Sequence, residues 1–394
     1  METVDRFLSI PSRSCILFGP RGTGKTFWIR HSFSKYYTID LLKSDVYQSY
    51  LSAPSRLRGL VDANPEYETI VIDEIQKVPA LLDEIHYLIE NHPNVRFILT
   101  GSSARKLKGA GADLLAGRAV EKHLHPFMAA ELEHRFSLEQ ALIRGLLPVV
   151  MAADDPAEVL KTYVSLYIRE EVQQEGLVRN IGGFTRFIEA IAFSHASLLN
   201  VSNIARECQA ERKTIEGYIS ILEDLLLAFR TPVFAKRAKR ATVAHAKFYL
   251  FDAGVFRSVR PKGPLDRPAE IDGAALEGLV AQHLRAWTDY AHFDARLHFW
   301  RTRSGVEVDF VLYGEGVFLA IEVKNALRIA PADLRGLKTF KNDYPDAGIM
   351  LLYRGKERIV INDVLCVPVD EFLLSLHPSK PLPFIEKPCH QPIR

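Results

Sequence analysis

The stretch Gly19-Pro20-Arg21-Gly22-Thr23-Gly24-Lys25-Thr26 restricts this chain more than any other feature of its 394 residues. It stands between a short apolar run, CILFG (15–19), and FWIRHSF (27–33), a strand–loop–helix context. Glycines at this spacing let successive backbone N–H groups wrap phosphates at a helix N-terminus, where the helix dipole favours negative charge. Lys25 is then expected to reach the β- and γ-phosphates of ATP, and the Thr26 hydroxyl to coordinate Mg²⁺.

A second half follows in order. ETIVIDE (68–74) places Asp73 at a strand end as a carboxylate of the Mg²⁺ shell, and Glu74 beside it as general base for water. VRFILTGSS (95–103) ends another strand at Thr100 and Ser102, placed to hold the attacking water or the γ-phosphate, or else to cap the turn. Arg118, in LLAGR, is expected either as an arginine finger, in cis or from a neighbouring copy, or as a solvated charge. Between the strands ALLDEIHYLIENH has helical spacing, so residues 1–150 read as a parallel α/β domain.

The length allows two or three domains, because single cores rarely grow beyond ~250–300 residues. The net charge of +2 says little as a total, but between Arg230 and Lys262 nine Lys or Arg face one acid, Asp252. Cys15, Cys208, Cys366 and Cys389 show no zinc or disulfide spacing and read as reduced. No apolar run approaches the ~18–20 residues of a membrane span. The start of the chain, Met1–Ser12, is too charged and too short for a signal peptide. A cytoplasmic protein without membrane contact is expected.

Residues 151–262 read as a helical and winged-helix domain. Ser202 is the expected N-cap of a short helix; Arg212–Ala228 follows as a second helix with Ile215, Ile219, Leu222 and Leu226 on one face. TPVFAKRAKRATVAHAKFYLFD then reads as two strands around a basic tip. Lys236, Arg237, Lys239 and Arg240 at that tip, with Arg212 and Lys213 opening the second helix, suit contact with DNA phosphates. A solvated hairpin on a protein-interaction module is the alternative.

Residues 263–394 carry the helix AALEGLVAQHLRAW and a hairpin, VEVDFVLY–GEG–VFLAIEVK. Asp309 followed by Glu322-Val323-Lys324 resembles the D…ExK pattern of restriction-type nuclease folds, whose two carboxylates share Mg²⁺ beside a lysine. A loop spanning Gly314–Val317 would set Asp309 opposite Glu322; a three-residue loop would set them on opposite faces. Glu277 is a further candidate ligand, and the Val323 carbonyl could complete the site. An ordinary amphipathic hairpin, or a nuclease fold kept as a structural platform, is the alternative.

The motifs FGPRGTGKT, VIDEIQKVP, ILTGSSARKL, LLAGR, LHPFMAAEL, RGLLPVV and YVSLYIREEV, followed by GVEVDF and IEVK, resemble in their order the bacterial and archaeal AAA-like ATPases carrying a C-terminal domain of unknown function 4143. The resemblance implies an α/β protein with three parts: a P-loop NTPase (AAA-like) domain, a winged-helix middle domain and a restriction-nuclease-like α/β C-terminal domain. The expected function is an ATPase acting on or with DNA, as a homo-oligomer in one version. A nucleotide-switched regulator or scaffold, and a Mg²⁺ nuclease gated by the ATPase, are the rivals.

Overall fold

The computed structural model describes residues 3–101, 115, 117–168, 181–236, 240, 243, 245–291 and 294–384. Five parallel strands open the fold: β1 (Cys15–Phe18), β2 (Tyr37–Asp40), β3 (Thr69–Asp73), β4 (Arg96–Gly101) and β5 (Val120–His123), in the order β2-β3-β4-β1-β5. The central three are apolar without alternation because both of their faces are buried. The edges β2 and β5 are short and polar, which hid them in the sequence. Helices α1 (Lys25–Ser32) and α2 (Leu81–Asn91) pack on this sheet. α2 buries Leu81, Leu82, Ile85 and Leu88, each worth about 1.5–3 kcal/mol.

The middle region runs from a helix, Ile181–Ala192, through β6 (Ser197–Leu198), α3 (Val201–Glu207), α4 (Arg212–Asp224), β7 (Ala228–Thr231) and β8 (Lys247–Leu250). Its sheet has the order β6-β8-β7 and is antiparallel. Asn200, not Ser202, caps α3, its side chain accepting from the Asn203 N–H at 3.1 Å. α4 buries Ile215, Ile219 and Leu222 as expected, but it ends at Asp224. Leu226, with φ of 59°, leaves the helix and packs against the core of the first sheet.

The basic segment after β7 departs from the expected free tip. Phe234 is 1% exposed among Tyr313, Phe318, Phe340 and Tyr344 of the C-terminal region. Burying that ring draws the chain alongside the next sheet: Phe234 N–H donates to Phe299 O, Phe299 N–H to Pro232 O, and Val243 N–H to Arg301 O. Lys236 sits 4.2 Å from the Tyr313 ring centre, and Arg240 donates to the buried Asp343 carboxylate. Arg237 and Lys239 lie outside the described residues. Arg212 pairs with Glu216 one turn along α4.

Helices α5 (Ala253–Val259) and α6 (Pro268–Tyr290) lead into a six-stranded mixed sheet. Its strands are β9 (Ala295–Arg301), β10 (Glu307–Gly314), β11 (Val317–Lys324), β12 (Gly348–Tyr353), β13 (Ile359–Ile361) and β14 (Val364–Pro368), with α7 (Arg335–Asp343) before β12. The order is β13-β14-β12-β11-β10-β9. Gly314 pairs with Val317 and Phe310 with Ile321, a register that continues to Asp309 opposite Glu322. On its other edge β10 shifts register against β9 between Val308 and Val311. Asp309 therefore lies in a bulge, the kind of local kink that re-aims a side chain.

One hydrophobic cluster joins the regions, with Leu17 and Ile98 from the first sheet, Ile191 and Leu222 from the middle, and Leu279 and Leu319 from the C-terminal part. Cys15, Cys208 and Cys366 are free thiols in the interior. No helix among the described residues is long and apolar enough to cross a membrane.

Asp252 fixes one seam of this shared core. Its Oδ1 accepts from the N–H groups of Gly254 and Val255 and caps α5, while Oδ2 accepts from Leu146 N–H at 2.8 Å. Burial pushes the carboxyl up to about 6, against those three hydrogen bonds. Gly254 is required beside it, since a Cβ there would lie 2.2 Å from the Arg144 carbonyl oxygen. Asp252→Ala leaves three buried donors unmet and is expected to lower stability by about 2–4 kcal/mol, read as a shift in the urea midpoint.

Candidate nucleotide site

The loop after β1 has the backbone its glycines permit. Gly22 and Gly24 adopt φ of 84° and 90°, and Gly24 is the N-cap of α1. At Gly19 a Cβ would stand 2.6 Å from the Leu124 carbonyl oxygen, so only glycine fits against the strand exit. Thr23 closes the turn, its hydroxyl donating to Pro20 O at 2.8 Å. The Lys25 ammonium lies across the loop and donates to Gly19 O at 2.6 Å. A cavity of about 470 Å³ opens over the α1 N-terminus, and Arg21, Lys25, Thr26, Asp73 and Glu74 face it.

Strand order explains how distant residues meet there. β4 lies between β1 and β3, so Thr100 stands between the loop and Asp73. The Thr100 hydroxyl donates to the Asp73 carboxylate and accepts from the Glu74 N–H at 3.2 Å. Glu74 takes a left-handed φ of 60°, a costly conformation for a side chain of this size that turns the residue out of the strand. The Gln76 amide donates to its carboxylate. Gly19 through Thr26, Asp73, Glu74 and Thr100 are thus brought together, whereas Ser102 lies outside the described residues.

Arg118 is not part of this site. Val120 pairs with Cys15, at the amino end of β1, whereas the phosphate loop leaves the carboxyl end. Arg118 Nη2 donates to Glu90 Oε1 at 2.5 Å beside the last turn of α2. An arginine finger in cis is therefore corrected to a surface ion pair at the far end of the sheet.

Sequence reasoning missed the groups that hold the loop from behind. The Arg6 side chain, 5% exposed, donates to Thr23 O at 3.0 Å, to His125 O at 2.5 Å and to Glu131 Oε1 at 3.2 Å. Glu131 also accepts from the N–H groups of Phe7 and Met128. Burial alone would lower the Arg6 guanidinium, but Glu131 and Tyr290 hold its pKa above the ordinary value. From the segment that follows the first sheet, Tyr163 OH donates to Arg21 O at 2.9 Å, and Val149 N–H to Gly22 O at 3.3 Å. His125 is tied to the end of α6: its Nε2 meets Asp289 Oδ2 at 2.6 Å, and its N–H donates to the Tyr290 hydroxyl. Burial lowers the His125 imidazole. Lone residues such as Arg6 carry no sequence signal; His125, Glu131, Val149 and Tyr163 fall in the segments LHPFMAAEL, RGLLPVV and YVSLYIREEV, and the structure gives those segments a common task.

At the C-terminal hairpin Asp309, Glu322 and Glu277 do converge, but a lysine that the sequence reading passed over stands among them. Lys247 opens β8 and is 2% exposed. Its Nζ lies 2.8 Å from Glu277 Oε1 and 3.0 Å from Asp309 Oδ1, and it also pairs with Glu307. Tyr249 OH donates to Glu277 at 2.7 Å. Val323 meets Asp309 Oδ2 through its N–H at 2.9 Å, not through its carbonyl. Lys324 pairs with Glu322 Oε1 at 2.5 Å. Burial pushes Glu277 up to about 7, with Asp309 adding to it; Glu322 is raised well above the carboxylate range by burial and then by Asp309. Burial would lower Lys247, yet Glu277, Tyr249, Asp309 and Glu307 together hold it well above its ordinary value. Among the described residues no group of three His, Cys, Asp or Glu is arranged to hold a metal ion. Lys247 thus lies against Asp309 and Glu277, two of the three carboxylates expected to hold Mg²⁺, while Glu322 pairs with Lys324.

The sheet order and the loop geometry define an AAA-type P-loop NTPase. Residues 11–133 match the family model described as an AAA domain, residues 135–266 a domain of unknown function (DUF8612), and residues 272–372 a domain of unknown function (DUF4143). The chain thus carries an AAA domain followed by these two further domains. Similar chains include an uncharacterized protein of Mycobacterium tuberculosis, 26% identical over 91% of this chain and 81% of that one. Another is an uncharacterized protein of Methanocaldococcus jannaschii, 22% identical over 90% and 86%. Among solved structures, AMPPCP-bound DnaA from Aquifex aeolicus aligns over 54% of this chain and 81% of that one at 12% identity, with a TM-score of 0.26, too low to carry an argument.

Breaking the clamp behind the loop should be measurable. Arg6→Met leaves Glu131 charged and buried, and is expected to cost about 3–5 kcal/mol in denaturant unfolding while weakening nucleotide affinity. Arg6→Met combined with Glu131→Gln should recover part of the stability but not the affinity.

Proposed function

We propose that this protein is a Mg²⁺-dependent ATPase whose nucleotide state acts on its own middle and C-terminal domains. The observation that carries the reading is the hydroxyl of Thr100, bonded at once to Asp73 and to the Glu74 backbone at the edge of the loop cavity. Backbone N–H groups at the α1 N-terminus and the Lys25 ammonium would bind the phosphates. The Thr26 hydroxyl and the Asp73 carboxylate are the hard oxygen donors Mg²⁺ prefers, and both face that cavity. Bound Mg²⁺ would neutralise charge developing on the transferred phosphoryl group. Glu74, turned toward the cavity, would take the proton of the attacking water, and Thr100 would orient Asp73 and Glu74.

The helix–helix–strand order around α3 and α4 supports a winged-helix reading of the middle region, and the D…ExK hairpin a nuclease-like reading of the last one. A DNA partner rests on the basic segment, yet Lys236 lies over Tyr313 of β10 and Arg240 pairs with Asp343 at the end of α7. That favours a nucleotide switch acting within the chain over a free basic wing. Arg118 could serve as an arginine finger only toward the site of a neighbouring copy.

Lys25→Ala is expected to abolish tight ATP binding, because the ammonium meets phosphate in the ground state. Glu74→Gln should keep binding and lower kcat about 100-fold or more, because its carboxylate acts only on water. Turnover of the Glu74→Gln variant at the parental rate would remove Glu74 as base. Strong stimulation of wild-type turnover by added DNA would return the reading to an ATPase that acts on DNA.

A further inference from the structure

A second cavity lies beside the phosphate loop and shares no lining residue with the nucleotide cavity. Its volume is about 10 Å³, room for one water-sized occupant. Pro20 of the loop, His123 at the end of β5, Phe229 of β7, and Gln282 and Arg285 of α6 line it. Gln282 and Arg285 stand about one turn apart on α6 and share a face. None of the lining residues is acidic.

Two of these side chains are short of partners. Gln282 is 3% exposed, and both its Nε2 and its Oε1 are buried without a hydrogen bond. A buried amide unpaired at both ends is rare and costly, so it points to an occupant. The Arg285 guanidinium lies 4.6 Å from the Phe229 ring centre and makes no hydrogen bond or ion pair among the described residues. The acids that act on it, Asp289 and Glu223, are already paired with His125 and Arg230. Burial lowers its pKa, and those two carboxylates do not make up the difference. A water molecule would meet the amide but leave this positive charge undercompensated.

We propose that Gln282 and Arg285 form a binding site for a single halide-sized anion, such as chloride, held against Pro20 of the phosphate loop. The ion accepts from Gln282 Nε2 and from the guanidinium, which has N–H donors enough to serve Gln282 Oε1 as well. Leu226, Phe229 and Pro126 close the apolar part of the wall, where low polarity strengthens the attraction between ion and guanidinium. An ion there braces the loop at Pro20, whereas Arg6 braces it at Thr23.

The site needs no nucleotide, so the test is thermal unfolding of nucleotide-free protein in potassium chloride against potassium gluconate at equal ionic strength. Chloride should raise the unfolding temperature of the wild type by about 2–4 °C, and the effect should saturate. Crystals grown in bromide should show its anomalous peak between Gln282 and Arg285. Gln282→Leu, which keeps the bulk and removes the donor, should lose the chloride effect, and so should Arg285→Met. Lys25→Ala should keep it, because that cation belongs to the phosphate loop. Equal unfolding temperatures in the two salts, or no bromide in the cavity, would overturn the proposal and leave water as the occupant. A chloride effect that survives either Gln282→Leu or Arg285→Met, or that disappears in Lys25→Ala, would also overturn it.

Discussion

A guanidinium buried between a carboxylate and two backbone carbonyls is costly unless each of its nitrogens finds an acceptor. Arg6 meets that condition, reaching Glu131, Thr23 O and His125 O. Much of the nucleotide site depends on it. The phosphate loop needs left-handed backbone at Gly22 and Gly24, and loops of that kind hold shape only when their outward carbonyls are tied. Arg6 ties Thr23, Tyr163 ties Arg21 and Val149 ties Gly22. The loop is consequently braced from behind, while Arg21 to Thr26 line the open cavity in front.

The same logic recurs near the middle of α6. Lys247 is a second buried cation, held by Glu277 on that helix and by two carboxylates on β10. Asp289 and Tyr290, in the last turn of α6, contact His125, whose carbonyl Arg6 holds. Glu277 and Asp289 are twelve residues apart on one helix, about 18 Å at helical rise. A rigid rod therefore has one end on the nucleotide loop's clamp and its middle on the carboxylate group. A rotation of α6 by nucleotide would be felt at both places, and that is the physical content of a switch acting within the chain.

What could be read beforehand follows from how local each signal is. The phosphate loop, Asp73 with Glu74, and Thr100 each sit at the end of an apolar run, so sequence order alone implied their convergence. The Asp309–Glu322 pairing was legible up to the loop length, which the Gly314–Val317 closure decides. Three things were hidden. β2 and β5 are edge strands with polar residues, so they lack the pattern of buried ones. The basic segment was expected to be free because charges dominate it, but among its described residues Phe234 is buried in the C-terminal region and Lys236 and Arg240 have partners there. Lys247 looked like one more member of a basic run, since nothing in a sequence tells a buried lysine from an exposed one. Arg118 was misplaced as a finger in cis for a topological reason: it precedes Val120, which pairs with the amino end of β1, away from the phosphate loop.

The central claim is that the nucleotide loop and α6 are one mechanical unit joined through Arg6 and His125. Amide hydrogen exchange with and without a non-hydrolysable ATP analogue and Mg²⁺ tests it most directly. The account predicts added protection in the loop and also in residues 124–131 and the last turns of α6, all of it lost in Lys25→Ala. Protection confined to the loop, α1 and the end of β3 would contradict it.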